Sequence, residues 1–309
     1  MKKLALLVLL ISCLGLASCA APKHAKGFLF EVKSQDVNQK ILIFGTAHKF
    51  SSASYVPSKT VKKVFAETEV FVMEGNGTKK VDVDYLMYAN GENIENHVDT
   101  YTAQKLNVYL TAINANEVQT KLIKKMKPIT AYSTYSEYLL AISSADKNQK
   151  KNDQLVTEGL DSQLSRDAER FKKKTEYLET FYEYIDVWNK SCNTTEKNSA
   201  LISALLNTLY DKDQAVRQVE SLTEPLIEGN FESFEKKYFL LNAGRASEQL
   251  YHECSVLPRN LAWVEKITSY ITSGKSVFVA VGAAHLVGDG GLIELMRKKG
   301  FQVALVPQD

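Results

Sequence analysis

The chain has 309 residues, with 38 lysines and arginines against 36 aspartates and glutamates, and 45% of its residues are apolar. A formal charge of +2 excludes the strongly basic footprint of a nucleic-acid binder. Past the first twenty residues no apolar run is long enough to span a bilayer, and the length suffices for one large core or a core with an insertion.

The opening MKKLALLVLLISCLGLASC carries two lysines and then a short apolar run. That is the layout of a secretory signal. It ends Leu16-Ala17-Ser18-Cys19, which resembles the lipobox of bacterial lipoproteins. The resemblance implies that residues 1–18 are a signal peptide, that Cys19 is acylated, and that residues 19–27 form a lipidated tether in which His24 has no task. An extracytoplasmic, membrane-anchored location follows, since several acyl groups hold a chain where one would bind marginally. Cys13 leaves with the signal and Cys19 takes the lipid, so Cys192 and Cys254 remain as an even pair in an oxidising compartment. A structural disulfide between them is expected.

Residues 28–309 read as one α/β domain. FLFEVK and KILIFG are apolar runs joined by the polar SQDVNQ, a hairpin pattern. Pro57-Ser58 opens an amphipathic stretch with Val61, Val64 and Phe65 at helical spacing, followed by the strand candidate EVFVME and Gly75-Asn76-Gly77. Strand, crossover helix and strand predict a parallel, right-handed pair. From about 80 to 255 the pattern turns helical, including ERFKKKTEYLETFYEYIDVWNK, and reads as a large insertion or cap. The tyrosines near 132–138 and 177–184 sit at helical spacing, which favours packing over a ligand platform. NLAWVEKITSYITSG, SVFVAVG, GGLIELMRKKG and FQVALV then read helix, strand, helix, strand, the last pairing most simply in parallel with its predecessor. The fold class is therefore a mixed, largely parallel sheet, formed by the N- and C-terminal segments, with a helical insertion.

Three strand ends carry polar side chains: ILIFG runs into Thr46-Ala47-His48, EVFVM into Glu74, and SVFVAVG into Ala283-Ala284-His285. In parallel neighbours these emerge at one carboxyl edge, where open α/β sheets bind ligands. Two imidazoles and a carboxylate suit a divalent transition metal with open positions. Each residue also has an ordinary reading, a hydrogen-bonded turn histidine or a solvated glutamate, and the residues alone leave both open. The phosphate-loop, dinucleotide, nucleophile-elbow and H-E-x-x-H patterns are absent, and His252-Glu253 lacks a second histidine.

Gly45-Thr46-Ala47-His48, with Gly282-Ala283-Ala284-His285-Leu286-Val287-Gly288-Asp289-Gly290-Gly291-Leu292, resembles the paired G-x-x-H signatures of the TraB/GumN family, which includes the metal-dependent Tiki proteases. Gly159-Leu160-Asp161, Ala168, Lys174, Leu178-Glu179-Thr180 and Arg259-Asn260 with Trp263 are similar to its intervening motifs. The chain departs from the family after Glu74, where Gly75-Asn76 replaces an aliphatic residue and an acid. The resemblance implies a metal-dependent hydrolase, most simply a peptidase acting on a peptide or protein, with manganese, cobalt or zinc. His48 and His285 would be ligands, and Glu74 a third ligand or the general base. Arg259 would stabilise developing negative charge and Asn260 would position a ligand or loop; the alternative is a helix N-terminus, Asn260 capping and Arg259 solvated. The rival function is a non-catalytic lipoprotein that sequesters peptides or pheromones, and a weaker third is a haem or metal carrier using one histidine.

Overall fold

In the computed structural model, residues 23–34, 40–50, 55–75, 82–134, 157–243 and 246–309 are described. The expected signal, Cys19 and the 76–77 turn lie outside them. Six strands form one sheet: β1 (Phe28–Lys33), β2 (Lys40–Thr46), β3 (Val70–Gly75), β4 (Lys174–Glu179), β5 (Val277–Gly282) and β6 (Gln302–Leu305). Their order is β6-β1-β2-β5-β3-β4. β2, β5, β3 and β4 are mutually parallel, while β1 runs antiparallel to both of its neighbours. The fold is mixed α/β with a mostly parallel sheet.

The strands that sequence reading located by their apolar runs are the buried ones. Ile41, Ile43, Phe44, Phe71, Val72, Phe278 and Val279 are all fully enclosed. Both faces of these strands are covered, so they read as continuous apolar runs rather than alternating ones. The helix Lys59–Glu67 is capped by the Ser58 side chain, which accepts from the Val61 N–H, and it buries Val61 and Phe65. The Phe65 ring meets Phe278 edge-on at 5.2 Å. A side chain of that size contributes roughly 1.5–3 kcal/mol when fully buried.

Four expectations need correction. The last strand does not lie beside its predecessor. β5 is flanked on both sides, by β2 and β3, so β6 takes the open edge of β1 and pairs antiparallel with it. For the same reason β2 and β3 are parallel but separated, with β5 between them. Within the stretch read as helical, Lys174–Glu179 is β4, preceded by Lys172 at φ 54°, a left-handed turn that ends the helix Leu160–Arg170. β4 is an edge strand, exposed at Lys174 and buried only at Leu178 and Glu179, so it lacks the apolar run that betrays a central strand. Finally, the segment expected to be a tether is not free throughout. Lys23–Ala25 pairs in parallel with Tyr55–Pro57, the His24 ring bonds to the Pro57 carbonyl oxygen, and Ala25 is fully buried.

The helical middle packs on the sheet through its later helices. Phe231 and Phe234, on the helix Phe231–Asn242, meet the Phe28 ring at 5.2 and 5.0 Å. Cys192 and Cys254 are bonded, with Cα atoms 5.8 Å apart, in a buried cluster with Ile185, Trp188 and Leu201. This bond ties the helix Phe181–Ser191 to a π-helical turn, His252–Val256, that runs directly into the helix Leu257–Thr272. Among the described residues no helix is long and apolar enough to cross a membrane.

Candidate functional site

The strand register aligns the carboxyl ends. Thr46 pairs with Gly282, Met73 with Ala280, and Gly75 with Glu179. The side chains around those ends therefore share one edge of the sheet. They line a cleft of about 580 Å³ that includes His48, Glu74, Asp161, Glu179 and Arg259.

His285 follows β5 in a single 3-10 turn and is 6% exposed. Its Nδ1 lies 2.7 Å from Asn260 Oδ1. The Asn260 amide nitrogen donates to the His285 and Gly290 carbonyl oxygens, at 3.2 and 2.8 Å, so the oxygen must face the ring. The network thereby assigns the His285 proton to Nδ1 and the lone pair to Nε2. Arg259 Nη1 donates to that lone pair at 3.2 Å. Burial holds the imidazole well below its ordinary range, and Arg259 reinforces the effect against the pull of Glu74, so His285 is neutral at neutral pH.

His48 is more open. Its Nδ1 lies 2.8 Å from Asp161 Oδ2, a carboxylate that orients the ring and leaves Nε2 on the cleft side. Asp161 sits in the first turn of the helix Leu160–Arg170, and the Leu160 N–H donates to the Ala47 carbonyl oxygen at 3.1 Å. Gly159 lies so close to the Ala47 and His48 carbonyl oxygens that no Cβ fits. The G-L-D motif thus serves to dock the His48 turn. The second Asp161 oxygen is buried with no hydrogen-bond partner among the described residues.

Glu74 ends β3. Its Oε1 accepts the Gly282 N–H at 2.5 Å and lies 4.0 Å from His285 Nε2, while Oε2 accepts from Arg259 Nη2 at 3.2 Å. A Cβ built on Gly282 would stand 3.2 Å from Glu74 Oε1, 3.6 Å from His48 Nε2 and 3.9 Å from the His285 ring. All three side chains thus converge on the space that Gly282 leaves open.

Arg259 and Asn260 are not a solvated helix start. Arg259 is 7% exposed and Asn260 is fully buried, because the π-helical turn leads the chain into this helix without a free end. Arg259 Nε donates to both Glu179 oxygens, at 2.9 and 3.1 Å, and Nη2 to Oε1. Its guanidinium lies 4.6 Å from the Trp263 ring and 4.8 Å from that of Tyr184. Glu179 also accepts the Trp263 indole N–H at 3.1 Å. Burial pushes the Glu179 carboxyl up, aided by Glu74 and opposed by Arg259. Glu74 and Glu179 together raise the guanidinium's affinity for its proton despite burial.

The profile of the TraB/PrgY/gumN family matches residues 28–305. The chain belongs to that family. No curated protein and no solved structure gives a significant match. In this TraB/PrgY/gumN chain, His48, Glu74, Asp161, Glu179 and Arg259, spread over more than two hundred residues, line one cleft at the carboxyl edge of the sheet. Sequence reasoning missed Asp161 and Glu179 as members of the site, although both lay in quoted motifs of this family. It also set aside tyrosines that prove to line the cleft, Tyr132 and Tyr184.

Among the described residues no group of three or more His, Cys, Asp or Glu is drawn close enough to hold a metal ion as it stands. The donors nonetheless suit one in kind. Both imidazoles have Nδ1 engaged by a neighbour, the His48 Nε2 and the His285 ring lie around Gly282, and Asp161 offers a buried oxygen without a partner among the described residues. Arg259 is the group that would have to give way.

Proposed function

We propose that this family member is an extracytoplasmic, membrane-anchored metal-dependent hydrolase, most simply a peptidase. The observation that carries the reading is the convergence of His48 Nε2, Glu74 Oε1 and His285 on the space above Gly282. His48, His285 and Glu74 would hold a manganese, cobalt or zinc ion, and the ion would polarise the scissile carbonyl and activate water. Glu74, ionised and hydrogen-bonded to the Gly282 N–H, is oriented to take a proton from an attacking water. Arg259 carries its charge beside Glu74 and His285, where a carbonyl oxygen would gain negative charge. Asn260 keeps the His285 proton on Nδ1, and Asp161 does the same for His48.

The chain beginning at residue 20, purified and offered Mn²⁺, Co²⁺ or Zn²⁺, should retain metal and cleave peptides. His285→Ala should lose both while keeping its circular dichroism. Wild-type metal content in the variant would overturn the reading. One contact favours sequestration instead: Arg259 already donates to the His285 lone pair. Peptide bound tightly but recovered intact at every metal loading would support that second reading.

Gly282 supplies a sharper probe. Its backbone, at φ −57° and ψ 137°, suits any residue, so Gly282→Ala should fold normally. The added methyl would press on Glu74 Oε1 and take up the space in front of His48 Nε2. Metal affinity should fall about tenfold or more, by analogy with disturbed ligand shells. Isothermal titration would measure it, and unchanged affinity would place the metal elsewhere.

The anchor is tested separately. Cys19→Ser should move the protein from the membrane fraction to the soluble fraction with the domain intact. Continued membrane association, with no lipid mass on the mature chain, would exclude the lipid.

A further inference from the structure

The strand Lys23–Ala25 lies beside Tyr55–Pro57, and the Ser58 N–H donates to the Ala25 carbonyl oxygen at 3.1 Å. Ser58 caps the helix Lys59–Glu67, so residues 23–25 enter the fold beside the N-terminus of that helix. The helix turns Val61 and Phe65 into the core and leaves Lys59, Lys62 and Lys63 exposed. The helix Leu160–Arg170 adjoins this surface, since Gln163 Nε2 donates to the Tyr55 carbonyl oxygen at 2.5 Å. The turn after it reaches the far end of the Lys59–Glu67 helix. There Lys173 Nζ donates to the carbonyl oxygens of Ala66, at 3.1 Å, and Thr68. That turn exposes Arg170, Phe171 and Lys172, with the Arg170 guanidinium 5.3 Å from the Phe171 ring.

Three features select a partner. The surface exposes Lys23, Lys59, Lys62, Lys63, Arg170 and Lys172, against the exposed acids Glu67 and Glu169 and, next to the Gln308 that bonds Ser58, Asp309. Among the described residues no carboxylate pairs with Lys59, Lys62, Lys63 or Lys172. A patch of one sign draws the opposite charge from outside. Phe171 is 49% exposed, between an arginine and a lysine. At a bilayer interface such a ring enters the acyl boundary while the cations stay among the headgroups. A soluble polyanion would meet the cations but leave the ring in water. In the anchored reading, the four residues from Cys19 to Lys23 span at most about 14 Å, so the lipid itself holds this surface against the membrane.

We infer that the face formed by the Lys59–Glu67 helix and the Arg170–Lys172 turn docks on a membrane surface of anionic phospholipids. The inference rests on the anchored reading for what brings the face to the bilayer. Its test uses a chain without lipid, so that the face and the anchor fail separately. The chain from residue 19 onward, carrying Cys19→Ser, keeps every described residue. In flotation with vesicles of phosphatidylglycerol and phosphatidylcholine in equal parts, it should bind at least about tenfold better than with phosphatidylcholine alone, and salt should release it. Each lysine at such a surface contributes roughly fivefold to partitioning. Lys59→Glu, Lys62→Glu and Lys63→Glu together should therefore weaken binding about a hundredfold or more. The same change at the exposed Lys121, Lys190 and Lys236 should cost far less, with melting curves confirming that each variant folds. Phe171→Trp should show emission that brominated lipid quenches on anionic vesicles only, since the native Trp188 and Trp263 are buried. No preference for anionic vesicles, equal losses in the two triple variants, or binding to a soluble polyanion without binding to vesicles would overturn the inference. Docking by this face in a protein whose Cys19 proves unmodified would uphold the face and refute the anchor.

Discussion

Glu74→Gln is expected to lower turnover about a hundredfold or more, the range for loss of a general base, if metal content is retained. If Glu74 is a ligand, metal affinity should fall with it. The substitution is close to isosteric yet not innocent. Glu74 accepts from the Gly282 N–H with one oxygen and from Arg259 Nη2 with the other. A glutamine has one acceptor, so its amide nitrogen must face one of those donors. Cleavage and metal content together assign the role, and wild-type values for both would refute the site.

The same substitution should change the acid limb of stability in chelated protein. Burial pushes the Glu74 carboxyl up, but His285, Arg259, His48 and the Gly282 N–H outweigh it and hold the group well below its ordinary 4.5. At neutral pH, where His285 is uncharged, Arg259 is the cation responsible. The stabilisation is complete above about pH 4.5 and is lost as pH falls toward about 2. His285, depressed from 6.5 mainly by burial, acts in the same sense, because the unfolded chain takes its proton first. Acid therefore weakens the fold through both groups. Glu74→Gln should show a shallower loss below pH 4.5 than the wild type in denaturant titrations.

How much of this was legible depended on how local each signal was. The central strands β2, β3 and β5 announced themselves as apolar runs, and the polar residues that follow them marked the edge where the cleft lies. Strand neighbours are a property of the whole sheet, so the sequence could not reveal that β5 inserts between β2 and β3 or that β6 must seek β1. β4 was hidden because it is fully buried only at Leu178 and Glu179 and lies between two helices in the chain. Whether Arg259 belonged to the site or to a solvated helix start stayed open in the sequence because its partner, Glu179, lies eighty positions away. Its burial became visible only when β4 entered the sheet. Asp161 and Glu179 could have been found by asking why a helix start and a strand end within the insertion carried family motifs at all.

Breaking the Arg259–Glu179 pair from one side should be the most damaging change to stability. Both side chains are 8% exposed, and Glu179 satisfies the guanidinium and the Trp263 indole N–H together. Glu179→Leu would leave a buried cation with Glu74 as its remaining charged contact among the described residues. Removing one partner of a buried pair costs about 3–5 kcal/mol. In a chain of this size that lowers the melting temperature by on the order of 10 °C. Arg259→Leu should cost a comparable amount, since it strands Glu179. The double variant should cost clearly less than the two singles added, because replacing both partners by apolar groups removes the uncompensated charge. It should nevertheless be inactive, having lost the guanidinium that contacts Glu74 and His285. Thermal and urea denaturation of the four proteins would close the cycle. Additive losses, or singles within a degree of the wild type, would mean that the pair is solvated and contributes no coupling.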